Sequence, residues 1–109
     1  MQWNSSRKVK EVARRLKEAL SKKGIKVERV YLFGSYARGD YLKDSDMDLI
    51  IVSNSWKDEP FLKRLDIVNE IVWKEGLGNV EAIPVTSEEL KKKSSVVLRD
   101  ASKYWVRIL

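Results

Sequence analysis

Cysteine and histidine are both absent from the 109 residues. The first absence excludes disulfides, thiolate metal sites and cysteine nucleophiles, and the second excludes imidazole bases, histidine metal ligands and Ser-His-Asp chemistry. Any catalysis must therefore be built from carboxylates, hydroxyls, Lys, Arg and metal. Long apolar runs are missing too. Nothing approaches the roughly 18 residues needed to span a bilayer, and the first residues are polar and charged, so neither a signal peptide nor a membrane helix is expected. The expectation is a soluble cytoplasmic protein.

What the chain has in quantity is charge: 22 Lys and Arg against 16 Asp and Glu, a net +6. That balance favours nucleotides, nucleic acid or an acidic protein, but only weakly, because most charges on a small domain form its solvated faces. The length suits one domain over residues 1–109, with room for a single core over a sheet. It leaves no room for a separate substrate-selecting domain. Whatever is modified must bring its own recognition surface, or another chain must supply it.

Periodicity divides the chain into helices and strands, the pattern of a mixed α and β domain. Val9, Val12, Ala13, Leu16 and Leu20 recur at helical spacing, Ser5 or Ser6 can cap that helix, and Gly24 can end it. Its outer face, with Arg7, Lys8, Lys10, Arg14, Arg15 and Lys17, reads chiefly as solvated surface, with phosphate or partner contact as the alternative. Residues 27–33 are rich in β-branched and aromatic types and read as a strand ending at Gly34. The stretch 47–52 is apolar apart from Asp48, as expected for a central strand covered on both faces.

A polar loop carrying Trp56 follows, and Pro60 suits the first turn of a helix reaching about residue 75. Phe61, Leu65, Val68 and Val72 form its expected buried stripe, widened by Leu62, Ile67 and Ile71. Gly76 and Gly78 end it before a short strand over 80–85, after which Thr86 and Glu89 stand at capping-box spacing. Lys91, Lys92 and Lys93 read as a solvated turn of that last helix. The aromatic and apolar segment 103–109 is expected to dock on the sheet edge.

The chemistry concentrates between Gly34 and Asp48. Strand alternation sends Asp46 and Asp48 to one side, where two carboxylates repel unless a cation neutralises them. Magnesium prefers oxygen ligands and is commonly held by one or two carboxylates plus substrate phosphates. An Asp-x-Asp alone is also compatible with a solvated acidic turn. Upstream, Gly34 removes a side chain that would obstruct a phosphate, Ser35 adds a hydroxyl, and the following N–H groups can open a short helix. The order strand, Gly-Ser, ten residues, Asp-x-Asp, second strand is more specific than either part. Glu81, an acid inside another short strand, is the candidate third carboxylate for metal-assisted transfer; an outward-facing strand glutamate is the equal alternative.

Gly34-Ser35, Asp46-Met47-Asp48 and the distant Glu81 resemble the DNA polymerase β-like nucleotidyltransferase superfamily. The run Gly34-Ser35-Tyr36-Ala37-Arg38-Gly39 and the short chain are similar to its minimal, MntA-type branch. The resemblance implies an α+β nucleotidyltransferase fold, a small mixed sheet with helices mainly on one face. It further implies ATP as substrate and two magnesium ions. Gly34 and Ser35 would contact the triphosphate, Arg38 would steady phosphate or brace the loop, and Asp46, Asp48 and Glu81 would be catalytic and metal-binding. The chain departs from the commoner pattern in having Glu81 where aspartate is usual, which keeps the charge and adds a methylene.

Minimal nucleotidyltransferases are typically paired with a HEPN-domain RNase in type VII-like toxin-antitoxin systems. The resemblance thus implies an antitoxin that transfers AMP to a tyrosine of its toxin. Two other classes remain: a small-molecule nucleotidyltransferase acting on an aminoglycoside-like compound, and a non-catalytic antitoxin working by occlusion. Direct nucleic-acid binding is the weakest expectation, because the basic residues look dispersed and no interleaved aromatic pattern accompanies them.

Overall fold

Alternation along residues 47–52 settles which side of the sheet faces which layer. Met47, Leu49 and Ile51 enter one apolar cluster, and Ile50 and Val52 enter another on the opposite face. The computed structural model describes residues 2–34, 46–92 and 105–109. In chain order these give α1 (Gln2–Lys22), β1 (Arg29–Phe33), β2 (Met47–Val52), a 3-10 turn (Asn54–Trp56), α2 (Phe61–Lys74), β3 (Val80–Val85), α3 (Ser87–Lys92) and β4 (Val106–Arg107). The strands form a mixed sheet in the order β3-β2-β1-β4. β1 is antiparallel to β2 and to β4, whereas β2 and β3 run parallel. Parallel neighbours need a long crossover, and α2 provides it.

The larger cluster joins Val9, Val12, Ala13, Leu16 and Leu20 of α1 to Val30, Leu32, Met47, Leu49, Ile51 and Ala82 of the sheet and Val68 and Ile71 of α2. Each such aliphatic side chain taken fully out of water contributes about 1.5–3 kcal/mol, so this face anchors both long helices. The other face carries the smaller cluster of Ile50, Val52, Val85 and Leu90, flanked by Tyr31, Phe33, Ile83 and Trp105. It is covered in part by α3 and by Trp105, whose ring stacks on Tyr31 with centroids 5.1 Å apart. β3 lies at the sheet edge, which explains how a strand tolerates Pro84.

Several boundaries and faces differ from the expectation. α1 begins at Gln2, so Ser5 and Ser6 lie inside it rather than capping it; the helical penalty of serine is small enough for a strongly amphipathic helix to propagate through. Trp56 is fully buried in the main cluster rather than carried on a polar loop, and its Nε1 has no acceptor among the described residues. The buried residues of α2 are Arg64, Val68 and Ile71, while Phe61 and Leu62 are exposed, at 44% and 75%. The helix is rotated because the Arg64 guanidinium occupies the line of the stripe. Its Nε donates to the Glu59 carbonyl at 2.9 Å, its Nη1 to the Pro84 carbonyl at 3.3 Å, and its two Nη groups to the Glu89 carboxylate at 2.7 and 3.2 Å.

Other expectations hold. The capping box forms, with the Thr86 N–H donating to Glu89 Oε1 at 2.9 Å and the Glu89 N–H to Thr86 Oγ1 at 3.1 Å. β4 docks on the edge of β1, with Arg107 opposite Tyr31 and Val106 opposite Leu32. Among the described residues no helix is long and apolar enough to cross a membrane. Lys93 and residues 103 and 104 lie outside the described residues.

Candidate active site

Three strand ends meet where the candidate acids lie. The register sets Asp48 of β2 opposite Phe33 of β1 on one side and Glu81 of β3 on the other. Directly paired residues share a face of the sheet, and neighbouring strands are about 4.8 Å apart, so Asp48 and Glu81 stand side by side. Asp46, two residues before Asp48, precedes the strand and is exposed. The ladder is pinned at this end by the Met47 N–H, which donates to the Asn79 carbonyl at 2.8 Å. Asp48 and Glu81 therefore sit on the face opposite the one covered by α1 and α2. Asp48 is half-buried, whereas Glu81 is exposed.

Gly34 closes the site from β1. Its φ of 73° lies in the left-handed region, which L side chains rarely adopt. A Cβ placed there would run into the Asp48 carboxylate, standing 3.2 Å from its Cγ and 3.4 Å from its Cβ. Sequence reasoning assigns the glycine to phosphate approach; the packing adds a second demand, because the backbone of residue 34 has to pass directly over Asp48. The two halves of the motif are in contact. Ser35 and Arg38 lie outside the described residues.

Magnesium fits this donor set in part. The acids are all oxygen donors, the ligand type magnesium prefers, and Asp48 and Glu81 stand on paired positions of adjacent strands. Among the described residues, however, no three carboxylates converge closely enough to hold a metal ion by themselves. Asp46 and Asp48 would thus need phosphate oxygens or water to complete a coordination shell, as is usual for magnesium.

The same face continues away from the acids as an aromatic and basic surface. Tyr31, two residues from Phe33, accepts a hydrogen bond at its hydroxyl from Arg29 Nη1 at 2.8 Å. Arg29, Tyr31, Ser87, Leu90, Lys91 and Trp105 line a cavity of about 320 Å³. Sequence reasoning missed this grouping and the buried Arg64. For Arg64 a signal was present: it falls on the helical line of Val68 and Ile71, where an unpaired cation would be costly, and Glu89 lies in the one capping box downstream.

Comparison with known proteins places these features in a family. Residues 13–105 match the model of the nucleotidyltransferase domain. The chain is 39% identical over 90 residues, covering 83% of this chain and 81% of the relative, to MJ0604 of Methanocaldococcus jannaschii, provisionally named a protein adenylyltransferase. Among solved structures, a provisionally named nucleotidyltransferase from Sulfolobus solfataricus superposes with a TM-score of 0.65 at 30% identity, covering 97% of this chain and 80% of that one. A toxin-antitoxin crystallised with AMP-PNP superposes with a TM-score of 0.60 at 18% identity, covering 88% and 71%, a likeness of fold. The order of Gly34, Asp48 and Glu81 across three adjacent strands is thus set in a mixed sheet of known type, and the chain belongs to the nucleotidyltransferase domain family of transferases.

Proposed function

We propose that this nucleotidyltransferase moves AMP from magnesium-ATP to a hydroxyl of a partner protein, and that the acceptor is a tyrosine of a HEPN-family RNase toxin in the cytoplasm. The observation that carries the reading is the contact of Gly34 with Asp48 beside Glu81, which puts a phosphate-approach position and two acids at one end of the sheet. The provisional name of MJ0604 supports protein as acceptor class. The toxin-antitoxin fold neighbour, crystallised with AMP-PNP, supports a toxin partner and an adenine nucleotide. The HEPN identity and the antitoxin role follow the resemblance to minimal nucleotidyltransferases.

In this reading Gly34 and Ser35 receive the triphosphate and Arg38 steadies it or braces the loop. Asp46, Asp48 and Glu81, together with phosphate oxygens or water, would hold magnesium, which supplies neutralisation of the charge gathering on the phosphates. The acceptor oxygen bonds to the α-phosphorus while the bond from that phosphorus to the bridging oxygen breaks, and pyrophosphate leaves with its electron pair. Glu81 takes the acceptor proton, a role its exposed position at the strand end permits. ATP labelled at the α-phosphate should mark the acceptor, and ATP labelled at the γ-phosphate should not. Labelling from the γ-position would replace nucleotidyl transfer with phosphoryl transfer.

The lack of three converging carboxylates among the described residues favours one second reading, a nucleotide-binding antitoxin that neutralises its partner by occlusion. The Asp48→Asn variant separates the two. Full neutralisation of the toxin by that variant selects occlusion, whereas lost neutralisation selects transfer.

A further inference from the structure

The charge of this protein is concentrated in one helix. α1 holds seven Lys and Arg against Glu11 and Glu18, a balance of +5 within the chain's +6, which leaves fifteen cations against fourteen acids elsewhere. The helical repeat splits those charges between two flanks. One flank carries Lys8, Glu11, Arg15, Glu18 and Lys22, of mixed sign, and is turned toward α2, where Arg15 pairs with Glu75 at 3.1 Å. Lys23, just past the helix, pairs with Glu70 of α2 at 3.7 Å. The other flank carries Arg7, Lys10, Arg14 and Lys17 at successive spacings of three, four and three residues, all exposed, with no acid and no apolar residue between Arg7 and Lys17 on that line; Trp3, whose side chain is outside the described residues, stands one turn before Arg7. These four span about 15 Å of helix. Arg7 and Arg14 each have an interaction already, Arg14 with Glu11, an exposed pair of the kind that contributes little and yields readily to another anion.

We propose that this flank of α1 is a docking surface for nucleic acid, contacted through its phosphodiester backbone without reading of bases. A protein-binding patch of this size would carry an aromatic or aliphatic centre and few lysines. Interfaces with nucleic acid are instead polar and strongly positive, and a row of like cations at regular spacing complements a polyanion of regular charge. The surface lies on the helix layer, opposite the face that carries Asp48 and Glu81, so its occupation is independent of the proposed transfer. The weak sequence expectation for such binding rested on dispersed cations; the helix gathers them.

The test is fluorescence anisotropy with a short single-stranded RNA of mixed sequence, titrated with the full chain at several salt concentrations. Four phosphate contacts predict a slope of log K against log salt of about −3, so affinity should fall roughly 50-fold between about 50 and 200 mM salt. The triple variant Lys10→Glu, Arg14→Glu, Lys17→Glu should lose at least tenfold in affinity and most of the slope. A variant of equal charge change placed elsewhere, Lys57→Glu, Lys63→Glu, Lys91→Glu, should lose less than threefold, with circular dichroism confirming that both fold. Equal losses in the two variants would overturn the proposal, as would no binding at the lowest salt. Competition by polyglutamate as effective as by RNA, charge for charge, would overturn it in favour of an acidic protein partner.

Discussion

Gly34 answers two demands at once, a left-handed backbone and a close pass over the Asp48 carboxylate, so it should tolerate no side chain. Gly34→Ala is expected to cost about 2 kcal/mol from the backbone conformation alone, read as a lowered urea midpoint, and to displace Asp48, so that transfer falls further than stability. Unchanged activity in a folded Gly34→Ala protein would contradict the placement. Glu89 makes a second residue-scale prediction. The Arg64 guanidinium beside it, together with its hydrogen bonds to Thr86, holds its carboxyl below the usual value against the opposing effect of burial. A carboxylate with a depressed folded pKa contributes stability that is fully present above its unfolded pKa, near 4.5, and is lost as pH falls through the folded value. Glu89→Gln should therefore flatten the acid limb of the stability curve as pH falls below about 4.5. The wild-type curve retaining its slope there in the variant would remove Glu89 from the account.

At the scale of elements, the Arg64–Glu89 pair ties α2 to α3 and, through the Pro84 carbonyl, to β3, the strand that carries Glu81. Truncation should be asymmetric. Glu89→Ala leaves a guanidinium 4% exposed with only carbonyl acceptors and also removes half the capping box. Because the Glu89 side chain is itself 38% exposed, its loss is expected to cost about 2 kcal/mol rather than the 3–5 of a fully buried pair. Thermal or urea denaturation checks this, and a loss under about 0.5 kcal/mol would show that water serves Arg64 as well as Glu89 does. This pair also marks where sequence was hard to read. The strands over 47–52 and 80–85 were legible because nothing competes with their apolar runs, and the Thr86–Glu89 box because it is local. The rotation of α2 was not legible, because it depends on an ion pair between residues 25 apart in the chain. Trp56 was missed for a similar reason: a polar neighbourhood in sequence says little about a core reached by a single 3-10 turn.

For the whole molecule, the two proposed sites lie on two faces of the sheet. The helix layer carries the core and the basic flank of α1; the opposite face carries Asp48 and Glu81 at one end and the Tyr31–Trp105 stack further along. That Asp46 and Asp48 are spaced for one side of the sheet was legible from strand alternation. That Glu81 stands directly beside Asp48 needed the parallel register. Glu81→Gln, an exposed and nearly isosteric change, is expected to leave stability within about 0.5 kcal/mol while lowering the transfer rate by at least about a hundredfold. Activity close to wild type would assign Glu81 to the surface. The most direct test of the central claim is intact mass measurement of the proposed HEPN-family toxin partner after incubation with this chain, ATP and magnesium. The account predicts a mass gain of whole AMP units on a toxin tyrosine, absent with Asp48→Asn. A toxin that is neutralised with no change in mass, or one modified equally by Asp48→Asn, would contradict it.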